Sequence, residues 1–223
     1  MRRAALLVGM LLAATPAAAG ELVALCYNYD CASRGLVVYA GERLDALAAR
    51  LAATDSAAAE REELAAVIGE LYALAATQTP VGADRGGNLR DAGVDGRMDC
   101  IDHSTNTTAL LNMLALRGAL RFHRVLEPAR RARFIMQHFS AVIEEVEPPP
   151  PLAAAVEVPD HVGLLLALCD CPEVVDDIPR PPVPPPGNPG ARFAVDSWFV
   201  DNGDPAVVLP LADWLNGGGP NVQ

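Results

Sequence analysis

Short apolar, strand-like runs at 21–25 and 36–39 lie on either side of Cys26-Tyr27-Asn28-Tyr29-Asp30-Cys31. Two short strands joined through a four-residue turn fit that pattern. The period then changes. Leu44, Leu47 and Leu51 recur at helical spacing within 41–53, and Leu64, Ile68, Leu71 and Ala75 mark a second helix. Asp55 or Ser56 caps it, Glu60, Glu62 and Glu63 lie near its positive end, and Thr79-Pro80 stops it. Residues 81–98 hold five glycines and read as a long loop. A third helix follows, with Asp99 as N-cap, Asp102 as its acidic N3 partner, an apolar load from Leu110 to Leu116, and Gly118 at its end. Alternation over 120–126, 137–144 and 192–201 predicts three more strands. The fold class is α+β: a hairpin and helical region, then the third helix packed on an antiparallel sheet.

Composition alters this picture at both ends and in the middle. Residues 1–19 combine Arg2-Arg3, an apolar run and a small-residue site, the pattern of a cleaved signal peptide. That leaves 20–223 as a single soluble domain, exported to the periplasm or secreted, with no stable membrane insertion. Between the last two strands, 147–190 carry 13 of the chain's 19 prolines and read as an insertion with extended, polyproline-like ends. Residues 207–215 add apolar cover, and 217–223 read as a flexible tail. The net charge of -11 argues against a nucleic-acid partner, since phosphate recognition relies on clustered Lys and Arg. The clusters Arg121-Phe122-His123-Arg124 and Arg130-Arg131-Ala132-Arg133 read as a solvated rim.

The cysteine count points to chemistry. Five cysteines in an exported chain suggest two disulfides and one free thiol. Cys26 with Cys31, and Cys169 with Cys171, are the simplest pairs, which leaves Cys100. A thiol in the first turn of a helix feels the positive end of the macrodipole and unpaired N–H groups, and both favour the thiolate. Nucleophilic thiol chemistry also needs a base and a group that orients it. His138 opens one predicted strand, and Asp196 lies on the strand expected beside it.

Met98-Asp99-Cys100-Ile101-Asp102, followed by a helix, a Gly turn and a strand, resembles the nucleophile segment of the transglutaminase-like branch of the papain-like superfamily. His138 and Phe193-Ala194-Val195-Asp196-Ser197-Trp198 look like the His and Asp strands of that core. More narrowly, the CYNYDC segment at 26–31, GRMDCIDHSTNTT at 96–108 and VDSWFVDNG at 195–203 are similar to a group of exported bacterial proteins of unassigned function. The resemblance implies a papain/transglutaminase-like fold and a Cys100–His138–Asp196 triad acting on a peptide, protein or other amide substrate, by hydrolysis or acyl transfer, without a cofactor. The proline-rich insertion departs from the short hairpin connection usual in the family.

Around these three, Asp99 and Asp102 read as caps and loop anchors, and His103, one helical turn from Cys100, as a cap hydrogen-bonder or substitute base. His123 orients part of the site or satisfies a core polar group, and His161 is a loop histidine. The Cys100 N–H and Asn88 are candidate oxyanion donors. Two other readings remain open. One is a catalytically silent envelope binding protein on the same fold; the other is a small zinc site at Cys100 and His103, with His123 as a further ligand.

Overall fold

A computed structural model describes residues 20–88, 93–133, 136–147 and 187–220. Residues 1–19, most of the proline-rich insertion, His161, Cys169 and Cys171 lie outside them. Among the described residues the architecture is mixed α+β, with two antiparallel sheets and four α-helices. No described helix is long and apolar enough to cross a membrane.

The first sheet is the expected hairpin. Strands β1 (Glu21–Tyr27) and β2 (Ser33–Tyr39) pair from Glu21↔Tyr39 to Tyr27↔Ser33. Burial alternates along them: Leu25, Val37 and Tyr39 turn inward, whereas the equally apolar Leu22, Leu36 and Val38 stay exposed. Helix α1 (Gly41–Ala52) buries Leu44, Leu47 and Leu51. Helix α2 (Ala57–Ala76) starts at Ser56, whose side chain accepts from the Ala59 N–H, and a 3-10 turn at Pro80–Ala83 follows it.

Helix α3 (Cys100–Leu116) lies between the hairpin and the second sheet and also touches α2. That sheet runs in the order β3 (His123–Arg133), β4 (Met136–Glu145), β5 (Arg192–Asp196), β6 (Val207–Pro210), antiparallel throughout. A five-residue helix, α4 (Leu211–Leu215), closes the domain. Leu110, Leu111 and Leu114 of α3 meet Ile68 and Leu71 of α2 and Ala141, Ile143 and Val195 of the sheet in one apolar core. The strands differ from the alternation at their ends. β3 starts three residues later than expected and continues through the Arg130–Arg131 cluster, after a register shift at Glu127-Pro128, where proline has no N–H to give. β5 stops at Asp196, because Trp198 and Phe199 turn away.

Two buried side chains fix how these layers meet. Glu60 of α2, fully buried, accepts from the N–H groups of Arg121 and Phe122 and pairs with His123 Nδ1 at 2.8 Å, so it steers the chain into β3. Asn106 of α3 accepts from the Cys26 N–H at 2.7 Å and donates to the Cys26 carbonyl at 2.8 Å, acting as one rung of a strand that is not there. Replacing Asn106 by Ala orphans both backbone groups, and an unsatisfied buried donor or acceptor costs about 1–3 kcal/mol. Asn106→Ala is therefore expected to lose about 2–5 kcal/mol of stability, read as a lower urea midpoint under non-reducing conditions.

Candidate active site

The loop before α3 is fastened before the helix begins. Gly96 sits at φ +90°, where a Cβ would lie 1.8 Å from the Pro80 carbonyl oxygen, so only glycine fits. The Met98 N–H donates to Asp84 Oδ1 at 2.6 Å. Asp99 then caps α3, accepting from Ile101 and Asp102, while Asp102 reaches back to the Asp99 N–H, a complete capping box.

The same two carboxylates hold the hairpin tip. Asn28, Tyr29, Asp30 and Cys31 all have left-handed backbones, with φ from 51° to 70°. Such a conformation costs roughly 1–2 kcal/mol per residue for ordinary side chains. It also turns successive N–H groups to one side. Asn28 donates to the Arg97 carbonyl, Tyr29 and Cys31 to Asp102, and Asp30 to Asp99. Charge-assisted bonds of this kind contribute about 1.5–3 kcal/mol each, enough to offset the backbone cost. A disulfide joins Cys26 to Cys31 and closes the tip, as the spacing suggested.

Cys100 is the first residue of α3 and a half-buried free thiol. Its sulfur sits against β4 where that strand outruns β5, 3.9 Å from the Gln137 carbonyl oxygen, with the Phe139 N–H also directed at it. His138 lies between those two residues. Its Nε2 donates to Asp196 Oδ2 at 2.7 Å, and Asp196 also accepts from the Trp198 N–H and the Trp214 indole. The imidazole is flanked by the rings of Trp198, Phe199 and Trp214. Cys100 and His138 line one cavity of about 420 Å³, together with Tyr29, Asn88, Asp99 and Arg131. No hydrogen bond joins the Cys100 sulfur to His138 among the described residues.

The helix end does not leave the thiol acidic. Burial pushes the Cys100 thiol up, and the negative charges of Asp99 and Asp196 add to that, against the lowering effect of the Phe139 N–H. This direction runs against the expectation of a thiolate favoured by the helix terminus, with burial as the largest influence on the sulfur.

The other histidines are committed elsewhere. His103 is buried and does not line the cavity. Its Nε2 pairs with Asp84 at 3.0 Å and its Nδ1 with Ser197 Oγ at 2.8 Å, and Ser197 continues to Thr107 and Tyr72. Asp84, His103 and Ser197 thus reproduce the connectivity of a hydrolytic triad without access for a substrate; they tie α3 to the residue after Asp196. His103 is neither a cap nor a substitute base. With both ring nitrogens engaged it is also a poor zinc ligand, which removes the support for a site at Cys100 and His103. His123 binds Glu60 through Nδ1 and Arg61 through Nε2, so it serves the core rather than the cavity. The one group of potential metal ligands among the described residues is Cys26, Cys31 and Asp102, and its sulfurs are joined in the disulfide.

Four contributors were not legible in the sequence. Arg131, read as part of a solvated rim, stands directly across from His138 in the β3–β4 register and donates to the carbonyls of Trp214 and Gly218. Gly217 and Gly219, read as tail, wall the cavity; a Cβ on Gly219 would meet the Phe199 ring at 2.8 Å. Asp84 carried no motif. The Gly86 and Gly87 N–H groups, in a segment that superficially resembles a phosphate loop, bind Asp201 and the Trp198 carbonyl instead.

Asp99→Asn keeps a side-chain acceptor at the N-cap and deletes one of the charges that raise the Cys100 thiol. The pH dependence of iodoacetamide alkylation of Cys100 is expected to shift to lower pH in this variant; an unmoved profile would show that the Asp99 charge does not act on the thiol. Compared with known proteins, the chain matches no family model, no curated protein and no solved structure, so its functional reading rests on its own geometry.

Proposed function

We propose that the protein is an exported thiol-dependent amide hydrolase or acyltransferase of the transglutaminase-like, papain-like type, using Cys100, His138 and Asp196. One observation carries the reading: the Cys100 sulfur rests against the backbone on both sides of His138, inside a cavity, while Asp196 holds Nε2 of that imidazole. A cysteine on a helix N-terminus packed against an antiparallel sheet is the arrangement the resemblance implies. The Cys26–Cys31 disulfide fits an oxidising compartment, periplasmic or extracellular.

The chemistry follows from the protonation state. The raised thiol is neutral at rest, so it acts by general-base assistance rather than as a standing ion pair. Because Nε2–H is held by Asp196, Nδ1 is the nitrogen that receives the thiol proton as the sulfur turns from the Gln137 carbonyl. Sulfur attacks the amide carbonyl carbon, and the Cys100 N–H and Asn88 are the nearby donors for the oxyanion. The imidazolium returns its proton to the departing amine and leaves a thioester. Water or a second amine then completes hydrolysis or transfer, with His138 again taking the proton.

A second reading, a catalytically silent binding protein, is favoured by the lack of a bond between Cys100 and His138 and by the raised thiol. Catalytic hydrogen bonds commonly tighten only when substrate binds, so the resting geometry does not decide between the two. Alkylation does. With His138 acting as base, His138→Ala is expected to slow iodoacetamide modification of Cys100 by on the order of tenfold or more near neutral pH. A change smaller than about twofold would favour the silent site.

A further inference from the structure

Trp214 on α4 is fully buried, and an indole carries one N–H that burial obliges it to satisfy. It donates to Asp196 Oδ2 at 2.7 Å, the same oxygen that accepts the His138 Nε2–H at 2.7 Å. The indole also lies beside the imidazole, with centroids 5.6 Å apart. We propose that Trp214 is a positioning residue for His138, locking the Asp196 carboxylate in place and sharing its Oδ2 with the imidazole. The inference rests on the catalytic reading above.

Each carboxylate oxygen is tied to a different part of the chain. Oδ1 takes the Trp198 N–H at 3.2 Å from the turn after β5, and Oδ2 takes one donor from β4 and one from α4. A carboxylate held by three donors cannot rotate about its last bond without breaking one of them. The imidazole plane is therefore referred to α4 as well as to its own strand. Two donors on one oxygen also compete, so the indole moderates how strongly Asp196 pulls on the His138 Nε2–H.

Arg131 completes the bracket. Its guanidinium lies 4.6 Å over the Trp214 ring, and its NH1 group donates to the carbonyls of Trp214 and Gly218. Since Arg131 is the cross-strand partner of His138, the residue opposite the base also clamps the segment that carries the indole. A packing role alone would ask only for a large flat ring. The shared oxygen asks for the N–H.

Trp214→Phe keeps a ring and removes the donor. In this variant the His138 Nε2–H proton resonance is expected to move downfield, as the imidazole becomes the sole donor to Oδ2, and alkylation of Cys100 is expected to slow by about fivefold. A resonance that stays in place overturns the proposal, whatever the alkylation rate. Should Trp214→Phe not fold, the wild-type indole N–H resonance of Trp214 is compared with that of His138→Ala: a shift supports the shared oxygen, and no shift overturns it. Failure of the catalytic reading is seen separately, as alkylation that does not respond to His138→Ala while these resonances still report on the contact.

Discussion

Asp99 and Asp102 each bind two pieces of backbone at once, and the site depends on that double use. Each faces the open N–H groups at the start of α3 and the N–H groups that the left-handed tip turns toward it. Four adjacent left-handed residues would be unfavourable on their own. Tied to two carboxylates and closed by a disulfide, they become the surface on which the helix start is built. The position of the Cys100 sulfur is thus set by contacts made some seventy residues away in sequence.

The same loop is held a second time from below. Asp84 takes the Met98 N–H and one nitrogen of His103, whose other nitrogen reaches Ser197, next to Asp196. The loop that carries Cys100 and the end of β5 that carries Asp196 are therefore joined by a buried polar chain through α3. In a dry interior such a chain is strong when every member is paired, and costly when one is lost. This accounts for the polar face of α3, where Asp102, His103, Asn106 and Thr107 are buried among leucines. Each has a partner on another element, so the helix is fixed in rotation as well as in place.

Much of this was legible from residue order. The capping box, the hairpin with its disulfide, the third helix and the antiparallel neighbours carrying His138 and Asp196 follow from local pattern. What local pattern could not supply is what a side chain meets across the fold. His103 is one turn from Cys100, yet its ring points into a network assembled from three distant segments. Arg131 sits in a charged cluster, and only the register with β4 places it beside His138. Trp214 reads as apolar cover, because a sequence shows the ring and not where its single proton goes. The helix end suggested a lowered thiol, whereas burial, which sequence does not report, pushes Cys100 up.

Asn106 and Gln78 have a consequence beyond holding the hairpin. Asn106 occupies the outward N–H and carbonyl of Cys26 on β1, and Gln78 does the same for Val38 on β2. A two-stranded sheet has two open edges, each a template on which another chain can lay a strand. By covering one outward pair near the tip on one side and near the base on the other, the two amides shorten both templates from opposite ends. The apolar outer face of Leu22, Leu36 and Val38 can thus stay exposed without a long free edge beside it to recruit a neighbouring chain into a growing sheet.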